Sequence, residues 1–153
     1  MAVQMAPAKT TTKTATLNTV LVAIDRTALS LLELDFLQFL SLRPDSLAVL
    51  AHVVSNPLED SEPADRPHED SADQYSAIEE QLEILGDRLP CTYDIEIVKG
   101  DPADELVRLA NIYKSDLIVI GTRGLKGVDR VIKGSVSNQV LETAPCSVLV
   151  VKQ

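Results

Sequence analysis

Gly121-Thr122-Arg123-Gly124 is followed by nine residues and then by Gly134-Ser135-Val136-Ser137. The segment leaves an apolar run, Leu117 to Ile120, and enters a short helical pattern, Ser135 to Thr143. Glycine lets a backbone bend sharply and lets a ligand approach with no Cβ in the way. The first N–H groups of a helix have no partner within it, and together with the helix dipole they favour an anion. Ser135 and Ser137 add hydroxyl donors. Arg123, Lys126, Arg130 and Lys133 stand in the same loop against Asp129 alone, a local positive excess in a chain of net charge −9. The physical reading is a phosphate cradle. The alternative is a solvated basic loop with turn glycines. Other phosphate motifs fit poorly: there is no G-x-x-x-x-G-K-[ST] of the Walker type, and no G-x-G-x-x-G follows the first apolar run, as a dinucleotide dehydrogenase would need.

The elements that must hold this loop alternate strand and helix five times. Val20 to Ile24 is apolar throughout and ends at Asp25, which fits a parallel strand covered on both sides. Leu29, Leu32, Phe36, Phe39 and Leu40 recur at helical spacing before Pro44. Leu31, Leu34 and Leu37 are further apolar positions off that stripe. Leu47 to Val54 is a second strand. Ser55 to Asp73, rich in Pro, Asp and Glu, is a long surface loop that serves as a lid, a partner surface or a solvated spacer. Tyr75, Ile78, Leu82, Leu85 and Leu89 mark an amphipathic helix stopped by Pro90. Tyr93, Ile95 and Ile97 alternate with polar residues, which suits a strand near a sheet edge. Asp101-Pro102 is a helix start, because Asp caps free N–H groups and Pro sits where none is needed. Ala103, Leu106, Val107 and Ala110 form that helix's buried stripe. Leu117 to Ile120 and Val148 to Val151 complete the strands. Alternating elements predict an α/β fold, a parallel sheet with right-handed crossovers.

Composition bounds the function. A chain of 153 residues suits one domain. Residues 1–16 are expected to be a disordered arm and 17–153 the folded domain. Aromatics make up 3% of the chain and Trp is absent, which argues against base-stacking platforms. The net charge of −9 disfavours a nucleic-acid surface. No apolar run approaches the ~20 residues that span a bilayer, and the first sixteen residues contain no signal-peptide block, so a cytoplasmic location is expected. Cys91 and Cys146 form no C-x-x-C pair and no metal-ligand cluster, which suits two thiols in a reducing compartment.

The spacing G-x-x-G, nine residues, G-[ST] resembles the ATP-binding signature of universal stress proteins. The tail from Gly134-Ser135-Val136-Ser137 through Ala144-Pro145-Cys146-Ser147-Val148-Leu149-Val150-Val151 resembles that family too, as does Val98-Lys99-Gly100-Asp101-Pro102. The resemblance runs from about Thr19 to Lys152. It implies a single doubly wound domain with a five-stranded parallel sheet in the order 3-2-1-4-5 and helices on both faces. It also implies an adenine-nucleotide ligand over strands 1 and 4: ATP, with AMP or another adenine nucleotide as alternatives, and Mg²⁺ as the usual companion of a triphosphate.

Residue by residue, Asp25 matches the acid that hydrogen-bonds the nucleoside; on its own it reads equally as a loop acid or a helix cap. Val53 matches the apolar residue that packs on adenine, and Ile120 the residue before the glycine loop. Ala23, Val53 and Ile120 would otherwise read as plain core. Gly121 and Gly124, with Arg123 between them, pass beside ribose and phosphates, while Gly134, Ser135, Val136 and Ser137 hold phosphates. His52 falls at a common family histidine and reads as structural. The family follows its strand-1 acid with Gly-Ser, whereas Arg26-Thr27 follows Asp25 here; Arg26 either adds a charge-assisted phosphate contact or crowds the nucleoside. The family's dimer implies pairing of the C-terminal strand with its copy. The same strand order puts Cys91 and Cys146 at opposite edges, ~19 Å apart over four strand spacings and beyond disulfide reach. The loop offers positive charge and hydroxyls but no obvious base for hydrolysis. A nucleotide-binding sensor or regulator, working through dimer and unidentified protein contacts, is therefore expected, with a slow ATPase and a nucleotide-free interaction module as alternatives.

Overall fold

The structure is a computed structural model and describes residues 16–25, 35–38, 40, 42–55, 71–121 and 136–151. Five parallel strands build one sheet: β1 (Thr19–Ala23), β2 (Leu47–Val54), β3 (Thr92–Lys99), β4 (Leu117–Gly121) and β5 (Ser147–Val151), in the order β3-β2-β1-β4-β5. The expected order is thus observed. The helical residues are 35–38 (α1), Ser71–Gly86 (α2), Pro102–Ile112 (α3) and Val136–Thr143 (α4). Residues 1–15 of the expected arm (1–16), most of the acidic loop (56–70) and the loop residues 122–135 lie outside the described residues.

The central strands are apolar on both faces because both are covered. Val20, Val22, Leu50 and Val119 pack with Leu37 of α1 and with Ile78 and Leu82 of α2. Leu21, Val49, Ala51, Ile118 and Ile120 point the other way, against Ala103, Leu106, Leu109 and Ala110 of α3 and Val140 of α4. Alternation along each strand therefore sorts residues between two hydrophobic layers. Burying each Leu or Val side chain contributes roughly 1.5–3 kcal/mol. β3 alternates exposed and half-buried residues at its start, as an edge strand should.

Several elements depart from the sequence-based expectation in detail. α1 turns Leu37 into the core, fully buried, and leaves Phe36 42% exposed, the reverse of the expected stripe. Leu109 joins the buried side of α3, whereas Val107 is only half-buried. α2 starts at Ser71, so the end of the expected acidic loop is helical, and Asp73 in the first turn suits the helix dipole. It stops at Gly86, ahead of Pro90, where the Tyr93 ring fills the space a Cβ would need.

At the amino ends of the strands, side chains tie β1 down. Asp116 Oδ2 accepts hydrogen bonds from Asn18 N (2.7 Å) and Thr19 N (3.1 Å). The buried Ser46 hydroxyl donates to Leu17 O at 2.8 Å.

Candidate functional site

A parallel sheet offers its ligand site beyond the carboxyl ends of its strands. Ala23 is the last residue of β1, Val53 the last but one of β2, and Ile120 and Gly121 are the last two of β4. β1 lies between β2 and β4, so these ends are neighbours. Register fixes them further: Ala23 pairs with Ala51, and Val22 with Val119. Ile120 is buried in the layer beneath α3 and α4, and Ala23, Val53 and Val136 pack against that same layer. The sequence-predicted apolar residues thus share one face of the sheet at one end. Small Ala23 stands between larger Val53 and Ile120.

Val136 and Ser137 open α4 on this face. Ser137 and Val140 are the buried positions of that helix, which directs both toward the sheet. α3 opens at the same end, but its own side chain closes it. Asp101, with φ −71° and ψ 126°, accepts from Ala103 N at 3.0 Å and Asp104 N at 3.1 Å through Oδ1. The acid capping α3 repels an anion there. Gly100, at φ +155°, turns the chain from β3 into that cap and donates its N–H to Val54 O at 3.1 Å. A Cβ at Gly100 would sit 3.0 Å from Glu105 Cγ.

Asp25 is half-buried, two residues past β1. The chain leading to it is held firmly. Ile24 N–H donates to Ala51 O at 2.8 Å. His52, 8% exposed, has Nδ1 2.8 Å from Ile24 O. A carbonyl only accepts, so Nδ1 carries the hydrogen. Sequence reading gave His52 a structural role without its partner; the partner follows only from the β1–β2 register. Arg26, Arg123, Gly124, Gly134 and Ser135 lie outside the described residues.

Both cysteines are far from this end. Cys91 precedes β3 and Cys146 precedes β5, at the amino ends of the two edge strands, and both are free. Burial pushes both thiols above the ordinary range, with Asp116 adding to the effect at Cys146. Among the described residues, no group of three or more His, Cys, Asp or Glu could hold a metal ion. No helix among them is long and apolar enough to cross a membrane.

This end of the sheet thus brings together half-buried Ala23 and Val53, buried Ile120, the acid Asp25 and the start of α4. Solved structures share the architecture. One reported as a universal stress protein in complex with cAMP superposes at TM-score 0.67 with 25% identity, over 90% of this chain and 98% of that one. An Arabidopsis thaliana universal stress protein family protein with AMP bound superposes at TM-score 0.61 with 19% identity, over 89% and 92%, a likeness of fold. Among sequence relatives, a universal stress protein of Methanocaldococcus jannaschii is 48% identical over 58 residues, 38% of this chain and 34% of that protein. One from Synechocystis is 37% identical over 70 residues, 46% and 44% respectively. The matched stretches therefore span less than half the length of these relatives. The family profile reaches much further: it covers residues 16–152, and on that extent the chain belongs to the universal stress protein family.

Proposed function

We propose that this protein binds an adenine nucleotide at the carboxyl end of the sheet and acts as a stress-response sensor or regulator. The observation that carries the reading is the convergence of Ala23, Val53, Ile120 and Val136 on one face, with Asp25 and Gly121 at the adjoining strand ends. The purine would lie against Val53 and Ile120, with Asp25 on the ribose hydroxyls. Gly121, Gly124, Gly134 and Ser135 would line the phosphate path, with Arg123 and Ser137 beside it. The relative in complex with cAMP supports an adenine nucleotide as the ligand class. ATP is the preferred ligand, and its Mg²⁺ would ride on the phosphate oxygens rather than in a protein cage.

The same reading includes a cytoplasmic location and a homodimer. β5 lies at a sheet edge and carries half-buried Val148, Leu149 and Val150, which favours pairing with a second copy. The loop sequence from Gly121 to Ser137 offers positive charge and hydroxyls but no obvious base for hydrolysis, which favours a binder over a slow ATPase.

Mass spectrometry of protein purified under native conditions tests the reading. An adenine nucleotide released on denaturation supports it; turnover above background would assign the ATPase instead, and neither outcome would leave an interaction module. Arg26→Gly is expected to change ATP affinity more than threefold in a calorimetric titration, and no change would remove Arg26 from the site.

A further inference from the structure

We propose that His52 is a positioning residue for Asp25, acting through the peptide bond between Ile24 and Asp25 and without touching the ligand. The proposal rests on the nucleotide reading for its functional consequence, and on the structure alone for its mechanics.

The register of β1 against β2 runs from Thr19↔Leu47 to Ala23↔Ala51. Past Ala23 one further backbone bond holds the strand end, from Ile24 N–H to Ala51 O at 2.8 Å. The imidazole holds the other side of the same residue: His52 Nδ1–H donates to Ile24 O at 2.8 Å inside the protein. That oxygen belongs to the same planar unit as the N–H of Asp25. Peptide planarity means that holding one atom of the unit orients the others. The His52 bond therefore sets the plane of the Asp25 amide and the direction in which Asp25 Cα leaves it.

The geometry separates this role from that of a ligand contact. Side chains alternate along β2. Leu50 belongs to the layer beneath α1 and α2, with Val54 packed against it, so His52 stands on that side. Val53 stands on the opposite side, beneath α3 and α4. His52 thus supports the site from behind the sheet, while its neighbour in sequence faces the site. A buried imidazole bonded to a carbonyl also resists replacement by an apolar side chain, which would leave Ile24 O without that donor.

The experiment compares His52→Leu, which fills similar space without a donor, with His52→Asn, whose amide N–H can reach the Nδ1 position. Two readouts are taken on the full chain. One is the Asp25 amide resonance in ligand-free protein; the other is ATP affinity by calorimetry. The expected result is a displaced Asp25 amide and ATP binding weakened about fivefold or more in the Leu variant. The Asn variant should keep the wild-type amide position and an affinity within about twofold of wild type. If the Leu variant does not fold, the Asn variant decides the matter by the same two measurements. An undisplaced Asp25 amide in the Leu variant, or an Asn variant that fails to restore both readouts, overturns the proposal. Wild-type protein that takes up no ATP while the amide follows the expected pattern would overturn the nucleotide reading and leave the positioning role standing.

Discussion

Replacing Gly86 with Ala should destabilise this protein, although alanine is ordinarily the better helix residue. Gly86 ends α2, and a methyl there would lie 2.5 Å from Tyr93 Cδ2 and Cε2 and 2.6 Å from Cζ. Carbon–carbon contacts are most favourable at about 3.5–4.0 Å, so the overlap is about 1 Å. The ring must move, and Tyr93 then gives up its packing under α2 and its hydroxyl donation to Asp87 Oδ1 at 2.9 Å. Alanine's propensity advantage of up to about 1 kcal/mol works against this loss. Overpacking costs roughly 1–3 kcal/mol, and an edge-strand ring can partly swing aside, so we expect a net loss of about 1–2 kcal/mol. In a thermal melt that is a fall of about 2–8 °C. The control is the same substitution in a Tyr93→Ala background, where the clash is gone and Gly86→Ala should be neutral or stabilising. A rise in denaturation midpoint on the wild-type background, or an equal loss on the Tyr93→Ala background, would refute the steric argument.

Other consequences are open to direct measurement. Tyr113 donates its hydroxyl to Glu96 Oε1 at 2.6 Å, and that carboxylate, with some burial, pushes the phenol from 10.0 up to about 12. A raised folded-state value means the contribution is complete below about pH 10 and lost as the pH rises toward 12. Stability of the wild type relative to Tyr113→Phe, followed by urea unfolding, should therefore fall over that window; a flat difference would count against the bond. Asp101→Ala removes the acceptor for two α3 amides and should cost roughly 0.5–2 kcal/mol in chemical denaturation, with no loss disproving the cap. Raised thiol values predict slow modification of Cys91 and Cys146 at pH 8, with the rate restored on unfolding; native thiols reacting as fast as unfolded ones would contradict the burial argument.

Much of the fold was legible because apolar runs such as Val20 to Ile24 and Leu117 to Ile120 leave few alternatives to parallel strands covered on both faces. The cap at Asp101 was equally plain, since its chemistry is local. The facing of α1 was not. Phe36 and Leu37 are adjacent on a helix, and only docking against the sheet chooses Leu37. The role of Gly86 depends on Tyr93 reaching it from β3, which no local pattern reports. The site divides in the same way. Asp25 and Gly121 could be placed at strand ends by reading along the chain, whereas Ala23, Val53 and Ile120 look like ordinary core until the sheet order brings three strand ends together. The bond from His52 to Ile24 O depends on register, a long-range property that one sequence does not display.

Amide chemical-shift mapping on addition of ATP reaches the central claim most directly. The account predicts that the Asp25, Val53, Gly121, Val136 and Ser137 amides move with saturable dependence on ATP, while those of α2 and the Asn18–Asp116 end of the sheet stay in place. Saturable shifts confined to α2 or to the amino ends of the strands, or no saturable shift at any ATP concentration, would contradict it.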